Sequence, residues 1–340
     1  MIPVLLSFVF FLASVVAIQL CLTTDASAYE RKPQKPAIVL AAFGTTEVPA
    51  LPAILNTIKR VRDAFPDYDV HIAFTSNQIR DTWHQRSTDD SFKKANPDIP
   101  DEIYNVKNAL AVLADIQDLG PRLIIVQSLH FADGEEYTDL AGLVKALSGY
   151  NTMKAVLKPF PWIALGVPAL GTGDGQPAYI DVAVKALEPY VTEAKNANAN
   201  LVFMGHGNEN LTQKIYAKLQ AALRKAYNNN IYIGAVEAEP HADGIIAEIQ
   251  KVPDAPKSIL VAPLMLVAGD HARNDMSGPD PKSWTSQFTA AGFTATPKLQ
   301  GLGQLDTWVD IFVSHIKAVE PEVKAQQAKD EAAAAAPAKK

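Results

Sequence analysis

The chain has 340 residues, of which 48% are hydrophobic and 20% charged, more apolar material than one domain core of ordinary size takes up. Its 31 basic and 37 acidic side chains leave a net charge of −6, so the balance supplies no electrostatic footprint for nucleic acid. Cys21 is the only cysteine. Once the segment that holds it is removed, disulfides, cysteine–zinc sites, iron–sulfur clusters and cysteine nucleophiles are excluded together, and any metal must be held by His, Asp or Glu.

That segment opens the chain. Met1 to Leu22 is almost wholly apolar, and small residues at Ala26 and Ala28 form an A-x-A cleavage site. Residues 1–28 therefore read as a signal peptide that delivers the mature chain to the periplasm. The run also approaches the ~20 residues of a bilayer span and lacks Lys or Arg before it, so an uncleaved anchor is the alternative. Cleavage after Ala28 removes only Asp25 among the charged residues, giving a mature net charge of −5 and no stable membrane span.

From residue 36 onward, apolar β-rich runs alternate with amphipathic stretches, the pattern of βαβ units and a parallel sheet. Pro36 to Phe43 predicts a first strand, Gly44-Thr45-Thr46 a turn, and Leu51, Ile54, Leu55, Ile58 and Val61 one face of a helix. Val70 to Ser76, Leu123 to His130 and Trp162 to Pro168 predict three more strands. Between the first two of these, Gln85 to Glu102 is polar, with Asp89, Asp90, Lys93, Lys94 and two prolines, and reads as an exposed, mobile insertion or long loop.

The plan then repeats. Leu201 to Met204 leads into Gly205-His206-Gly207 and a helix through Leu211, Ile215, Leu219 and Leu223. Strands over Ile231 to Glu237, Ile259 to Met265 and from Thr296 answer those of the first half. The expected fold is α/β: two similar Rossmann-like domains with parallel sheets, residues 36–168 and 169–320, followed by a low-complexity Ala/Lys/Glu tail at 321–340 that extends the last helix and then frays. In this comparison Gly44-Thr45-Thr46 stands where the second half has Gly205-His206-Gly207, and Ser76 where it has Glu237.

The second half thus carries the chemistry. His206, Glu237 and His271 each follow an apolar run, and loops leaving the carboxyl ends of neighbouring strands in such a sheet face one crevice. Two imidazoles and a carboxylate brought together there would hold a divalent transition metal and leave positions open for transfer. Asp270, Arg273, Asn274 and Asp275 flank His271 as local hydrogen-bonding groups or as groups that orient the ligand. His130 either caps the loop through Gly134 or lines the cleft, while His71, His84, His241 and His315 read as structural or solvated. Gly171-Thr-Gly173-Asp-Gly175 runs into Gln176-Pro177 rather than a clean helix start, and there is no P-loop, so no nucleotide is expected.

Longer motifs carry a resemblance: Ala41-Ala-Phe-Gly44-Thr45-Thr46, Ala73-Phe-Thr75-Ser76, Val126-Gln-Ser-Leu-His130 with Gly134-Glu-Glu-Tyr137, Val202-Phe-Met-Gly-His206-Gly, Gly234-Ala-Val-Glu237, and Pro263-Leu-Met-Leu-Val-Ala-Gly-Asp-His271-Ala-Arg-Asn-Asp-Met276. From about Pro36 to about Glu320 the chain resembles the anaerobic sirohydrochlorin cobaltochelatases. The resemblance implies a class II chelatase fold with the active site in a cleft between its domains. It also implies insertion of Co2+ (or Fe2+, with Ni2+ also suited to the ligands) into sirohydrochlorin without nucleotide, on the route to cobalamin or sirohaem, by a homo-oligomer. His206, Glu237 and His271 take the family's metal-binding and proton-accepting roles, with His206 as main ligand and base. Gly44, Thr45 and Thr46 would offer donors to an acidic arm of the macrocycle, and His130 is the candidate ligand of a bound haem. Two departures stand out: members are usually cytoplasmic, and Glu239 is a second carboxylate where an aromatic is more usual. The rival reading is an exported carrier of haem, a corrinoid or a metal ion that keeps the chelatase fold.

Overall fold

In the computed structural model, residues 34–335 are described, apart from 121, 154–156, 174, 208–211 and 228–229. The leader and the last five residues lie outside the described residues.

Ala37–Ala42 (β1) is buried along its whole length, and its small and branched apolar side chains suit a strand covered on both faces. It sits inside a parallel sheet with Asp69–Phe74 (β2), Leu123–Ser128 (β3) and Trp162–Gly166 (β4), in the order β2-β1-β3-β4. Ala199–Gly205 (β5), Ile231–Ala235 (β6), Ser258–Pro263 (β7) and Thr294–Pro297 (β8) form a second parallel sheet in the order β6-β5-β7-β8. The last strand starts two residues earlier than the sequence pattern suggests.

The two sheets repeat each other down to single hydrogen bonds. Thr75 N–H donates to Ala42 O and Ser76 N–H to Phe43 O; Val236 N–H donates to Gly205 O and Glu237 N–H to His206 O. Leu129 N–H meets Ala41 O as Leu264 N–H meets Met204 O, and Ala169 N–H meets His130 O as Leu302 N–H meets Met265 O. Each half therefore has its switch between the first and third strands, at the same end of the sheet.

Strand alternation divides the core into three parts. Val39, Ala41, Ile124 and Val126 face an outer cluster with Val112, Leu113 and Leu140. Val202, Met204, Ile259 and Val261 face another with Ile245, Trp284 and Phe288. The intervening side chains of both sheets, Leu40, Ile125, Phe203 and Ala262 among them, share one continuous core. The long helix Asp306–Ala335 completes this core by returning to the first half, where it packs on β3, β4 and the helix Leu51–Ala64. Arg60 pairs with Asp310 at 2.6 Å, Tyr68 donates to Glu320, and Trp162 Nε1 donates to Asp330 at 3.0 Å. The beginning of the low-complexity tail is thus ordered helix with Val323 buried. Among the described residues no helix is long and apolar enough to cross a membrane.

The expected loop at Gln85 to Glu102 is corrected. The helix Asn77–Ser87 is followed by short helices at Asp90–Ala95 and Asp101–Tyr104. Trp83 packs edge-on against Phe92 and Tyr104, with centroids 6.3 and 5.8 Å away, and Arg86 lies 4.7 Å over both the Trp83 and Phe92 rings. Three aromatics scattered through a polar stretch follow no helical or strand period, so their convergence was hidden from the pattern.

Candidate functional site

His206 directly follows β5, and its turn is shaped from below by Tyr216. A Cβ at Gly205 would lie 2.4 Å from the Tyr216 hydroxyl, which itself approaches Gly207 N–H at 3.4 Å. Burial pushes the Tyr216 hydroxyl up to about 12, so it stays protonated under the turn at neutral pH. Gly207 has φ +89°, and a Cβ there would lie 3.0 Å from Ala238 N, so both conformation and space ask for glycine. Glu237 follows β6, tied to His206 O by its own N–H at 2.8 Å. His271 lies beyond β7, at the start of the π-helical turn Ala272–Met276.

Three residues from three strand ends thereby converge. His206, Glu237 and His271 each place a ligand atom so that all lie within 4.8 Å of one another. The two imidazoles meet edge to face with centroids 4.9 Å apart, and His206 Nδ1 is 3.6 Å from Glu237 Oε2. His206 Nδ1 lies 2.8 Å from Gly207 O, and His271 Nδ1 lies 2.7 Å from Asp275 Oδ2. Both partners are pure acceptors, so in the neutral rings Nδ1 carries the hydrogen and Nε2 keeps the free lone pair. All three side chains are partly open to solvent, as a site that receives an ion from solution requires.

Across from them runs the loop after β1. Thr45 is 4% exposed; its hydroxyl accepts Glu47 N–H, and its carbonyl accepts Trp83 Nε1–H at 2.8 Å. Arg86 donates to Thr46 O at 2.6 Å. The aromatic cluster around Trp83 therefore holds this lip from behind. In front, a Cβ on Gly269 would lie 3.3 Å from Thr45 Oγ1, and Glu47 pairs with Arg273 at 3.7 Å. The first-half lip thus touches the segment that carries His271.

The hydrogen-bond register changes the comparison of the halves. Ser76 does stand where Glu237 stands, where it caps the helix Asn77–Ser87. The residue in the place of His206, however, is Phe43, and Gly44, at φ +100°, matches Gly207. Gly44 is thus the counterpart of the glycine after His206 and not of Gly205, two positions from the equivalence that the sequence suggests. The loops continue in step, since Gly134 O accepts Thr138 N–H as Gly269 O accepts Arg273 N–H, which sets Glu136 against His271.

Of the remaining histidines, His130 is not part of the cluster. Its Nδ1 meets Ser128 Oγ at 2.9 Å, its Nε2 is enclosed without a hydrogen bond, and burial lowers its pKa. Ligation of a haem by this atom would require it to be uncovered. His84 Nε2 is 2.7 Å from Val106 O, and His315 Nδ1 is 3.1 Å from Val167 O with Tyr179 edge-on to its ring. Glu239 and His241 approach to 3.7 Å beyond Glu237. An open depression of about 510 Å³ lined by Arg62, Tyr68, His71 and Glu102 lies at the amino end of β2, the opposite end of the fold from the cluster. Sequence reasoning missed Phe43, Tyr216 and Trp83, which lie outside any ligand or catalytic pattern and so gave no chemical signal.

The sequence profile described as cobalt chelatase (CbiK) matches residues 36–320. A sirohydrochlorin cobaltochelatase, CbiKC, of Nitratidesulfovibrio vulgaris is 30% identical over 285 residues, 84% of this chain and 90% of its own. The sirohydrochlorin cobaltochelatase of Salmonella typhimurium is 30% identical over 284 residues, 83% of this chain and 95% of its own. Among solved structures, SirB from Bacillus subtilis with Fe3+ superposes with a TM-score of 0.53 at 13% identity, over 84% of this chain and 95% of that one, a likeness of fold.

Proposed function

Because the chain belongs to the cobalt chelatase family, we propose that His206, Glu237 and His271 hold Co2+ as substrate and deliver it into sirohydrochlorin, a step on the way to cobalamin. The observation that carries this reading is the convergence of three ligand atoms within 4.8 Å at the ends of β5, β6 and β7.

Insertion asks the protein to hold a partly dehydrated ion, to present it to the pyrrole nitrogens, and to take up two N–H protons. Two Nε2 atoms and one carboxylate leave coordination positions for water or ring nitrogen. As the ion passes to the macrocycle, each lone pair that releases it becomes free to accept a proton. His206 and Glu237 are adjacent and can take one each. The ligand set suits Fe2+ and Ni2+ as well, so supply and macrocycle share in selecting cobalt.

Within this reading the lip Gly44-Thr45-Thr46 meets the macrocycle's edge. Thr45 is buried, its hydroxyl accepting from Glu47 N–H and its carbonyl from Trp83, so the half-buried Thr46 hydroxyl is the donor that an acidic arm can reach. Export to the periplasm is supported by the apolar run and the Ala26 and Ala28 site, and predicts a mature protein beginning at Tyr29, checked by amino-terminal sequencing of a periplasmic fraction. A homo-oligomer completes the reading and is checked by sedimentation.

The test is anaerobic incubation of the mature protein with sirohydrochlorin and Co2+, followed by the shift of the absorption spectrum. We expect insertion above the protein-free rate, and its loss in His206→Ala, Glu237→Ala and His271→Ala with folding retained. Wild-type insertion no faster than the control would favour the carrier reading, and full turnover by His206→Ala would remove the cluster's assigned role.

A further inference from the structure

We propose that Phe43 is a stacking platform for the tetrapyrrole, a positioning residue on the side of the opening that faces the metal ligands. The inference rests on the function proposed above and deepens it.

The matched backbone bonds put Phe43 in the first half where His206 stands in the second. Val39 and Ala41 face the outer cluster of their sheet and Phe43 continues that alternation; Val202 and Met204 do the same and His206 continues theirs. The other two positions matched to the ligands hold Ser76 and Glu136, so the first half offers one strong metal ligand where the second offers three. An aromatic ring here has no metal to bind.

Nor does it serve the core. Phe43 is 50% exposed, whereas Ala42, Gly44 and Thr45 beside it are buried. A large apolar side chain held half in water on a fixed backbone, at the strand end equivalent to the one that carries His206, is placed to meet an apolar ligand. Its carbonyl is tied to Ser76 N–H, Thr45 Oγ1 lies where a Cβ on Gly269 would meet it at 3.3 Å, and Glu47 pairs with Arg273, so the ring stands on the lip that meets the His271 segment. A conjugated tetrapyrrole presents a broad π-face that an aromatic ring can meet in an offset stack. Contact on that face would hold the ring nitrogens toward His206 and His271, so that the ion enters from the ligand side alone.

The experiment titrates metal-free sirohydrochlorin into the mature wild-type protein and into Phe43→Ala, Phe43→Leu and Phe43→Trp, reading dissociation constants from quenching of tryptophan fluorescence, corrected for inner filtering. Melting curves and Co2+ titrations of the same proteins accompany it. We expect Phe43→Ala to weaken sirohydrochlorin binding about tenfold, Phe43→Leu to recover part, and Phe43→Trp to return within about twofold of wild type, with melting and Co2+ affinity unchanged. In turnover the Ala variant should raise KM more than it lowers kcat. Wild-type affinity in Phe43→Ala, or equal affinity in the Leu and Trp variants, would overturn the stacking role. A wild-type protein that binds sirohydrochlorin but inserts no metal would fail the chelatase reading while the Phe43 comparison still decides; one that does not bind it overturns both.

Discussion

His271 shows how much of the site depends on a residue that never meets the substrate. Asp275, four positions on, accepts its Nδ1–H at 2.7 Å and so leaves Nε2 with the free lone pair that a metal needs. Replacement by Ala should leave the protein folded and weaken Co2+ binding about 10- to 100-fold, measured by direct titration of the metal. Unchanged affinity would mean that packing alone orients the ring. Gly207 is the complementary case, a residue with no side chain on which the direction of His206 depends. At φ +89° with Ala238 N only 3.0 Å from its missing Cβ, Gly207→Ala should cost at least about 1–2 kcal/mol in denaturant unfolding and lower Co2+ affinity by moving the imidazole. Ligand identities were legible at this scale because Cys21 is the only cysteine and lies far from the strand ends in the sequence, which leaves His, Asp and Glu as the metal ligands there. Phe43 was not, because an aromatic after a strand reads as core until its exposure is known.

At the level of elements, the helix Asn77–Ser87 and its two short successors form a brace. Trp83 is fully buried, bonds the Thr45 carbonyl, and is enclosed by Phe92, Tyr104 and Arg86. Trp83→Ala should destabilise the protein by about 3–5 kcal/mol in urea titration. The milder Trp83→Phe keeps the ring but loses the Nε1 bond, and should raise the KM for sirohydrochlorin by loosening the lip. The Glu47–Arg273 pair across the opening is different. Both side chains are partly exposed at 3.7 Å, so Glu47→Gln should change stability by less than about 1 kcal/mol. Strands and long helices were readable from period and length. The brace was not, since its members are short and their apolar residues become neighbours only when the chain folds back.

Across the whole molecule, acid should act through buried histidines. Burial lowers the pKa of His71, His130 and His315 below the ordinary imidazole value, and the Val167 carbonyl offsets this only in part at His315. Between the lowered folded value and about 6.5 in the unfolded chain, the unfolded state binds more protons, so stability rises with pH through that interval. Melting temperature should therefore fall on going from pH 7.5 to pH 5.5, and His315→Gln should flatten part of that dependence. A melting temperature constant over this range would show that these rings are not held neutral. The long helix Asp306–Ala335 adds a second global test, because it joins the last part of the chain to the first sheet. Truncation after Glu320 removes Val323 from the core and Asp330 from Trp162, and should lower the melting temperature with the metal cluster still intact.

Taken alone, the sequence determined the two parallel α/β halves, the scarcity of thiols, with Cys21 the one cysteine, and the three candidate ligands, because hydrophobic period, composition and side-chain chemistry are local properties. The tertiary structure decided which residues meet. It put Phe43 rather than Gly44-Thr45-Thr46 in the place equivalent to His206, enclosed His130, turned a polar insertion into a brace, and carried the last helix back to the first sheet. Each of these depends on register and on contacts between residues far apart in the chain. Only the closing of the backbone hydrogen bonds and the packing of the shared core fix them.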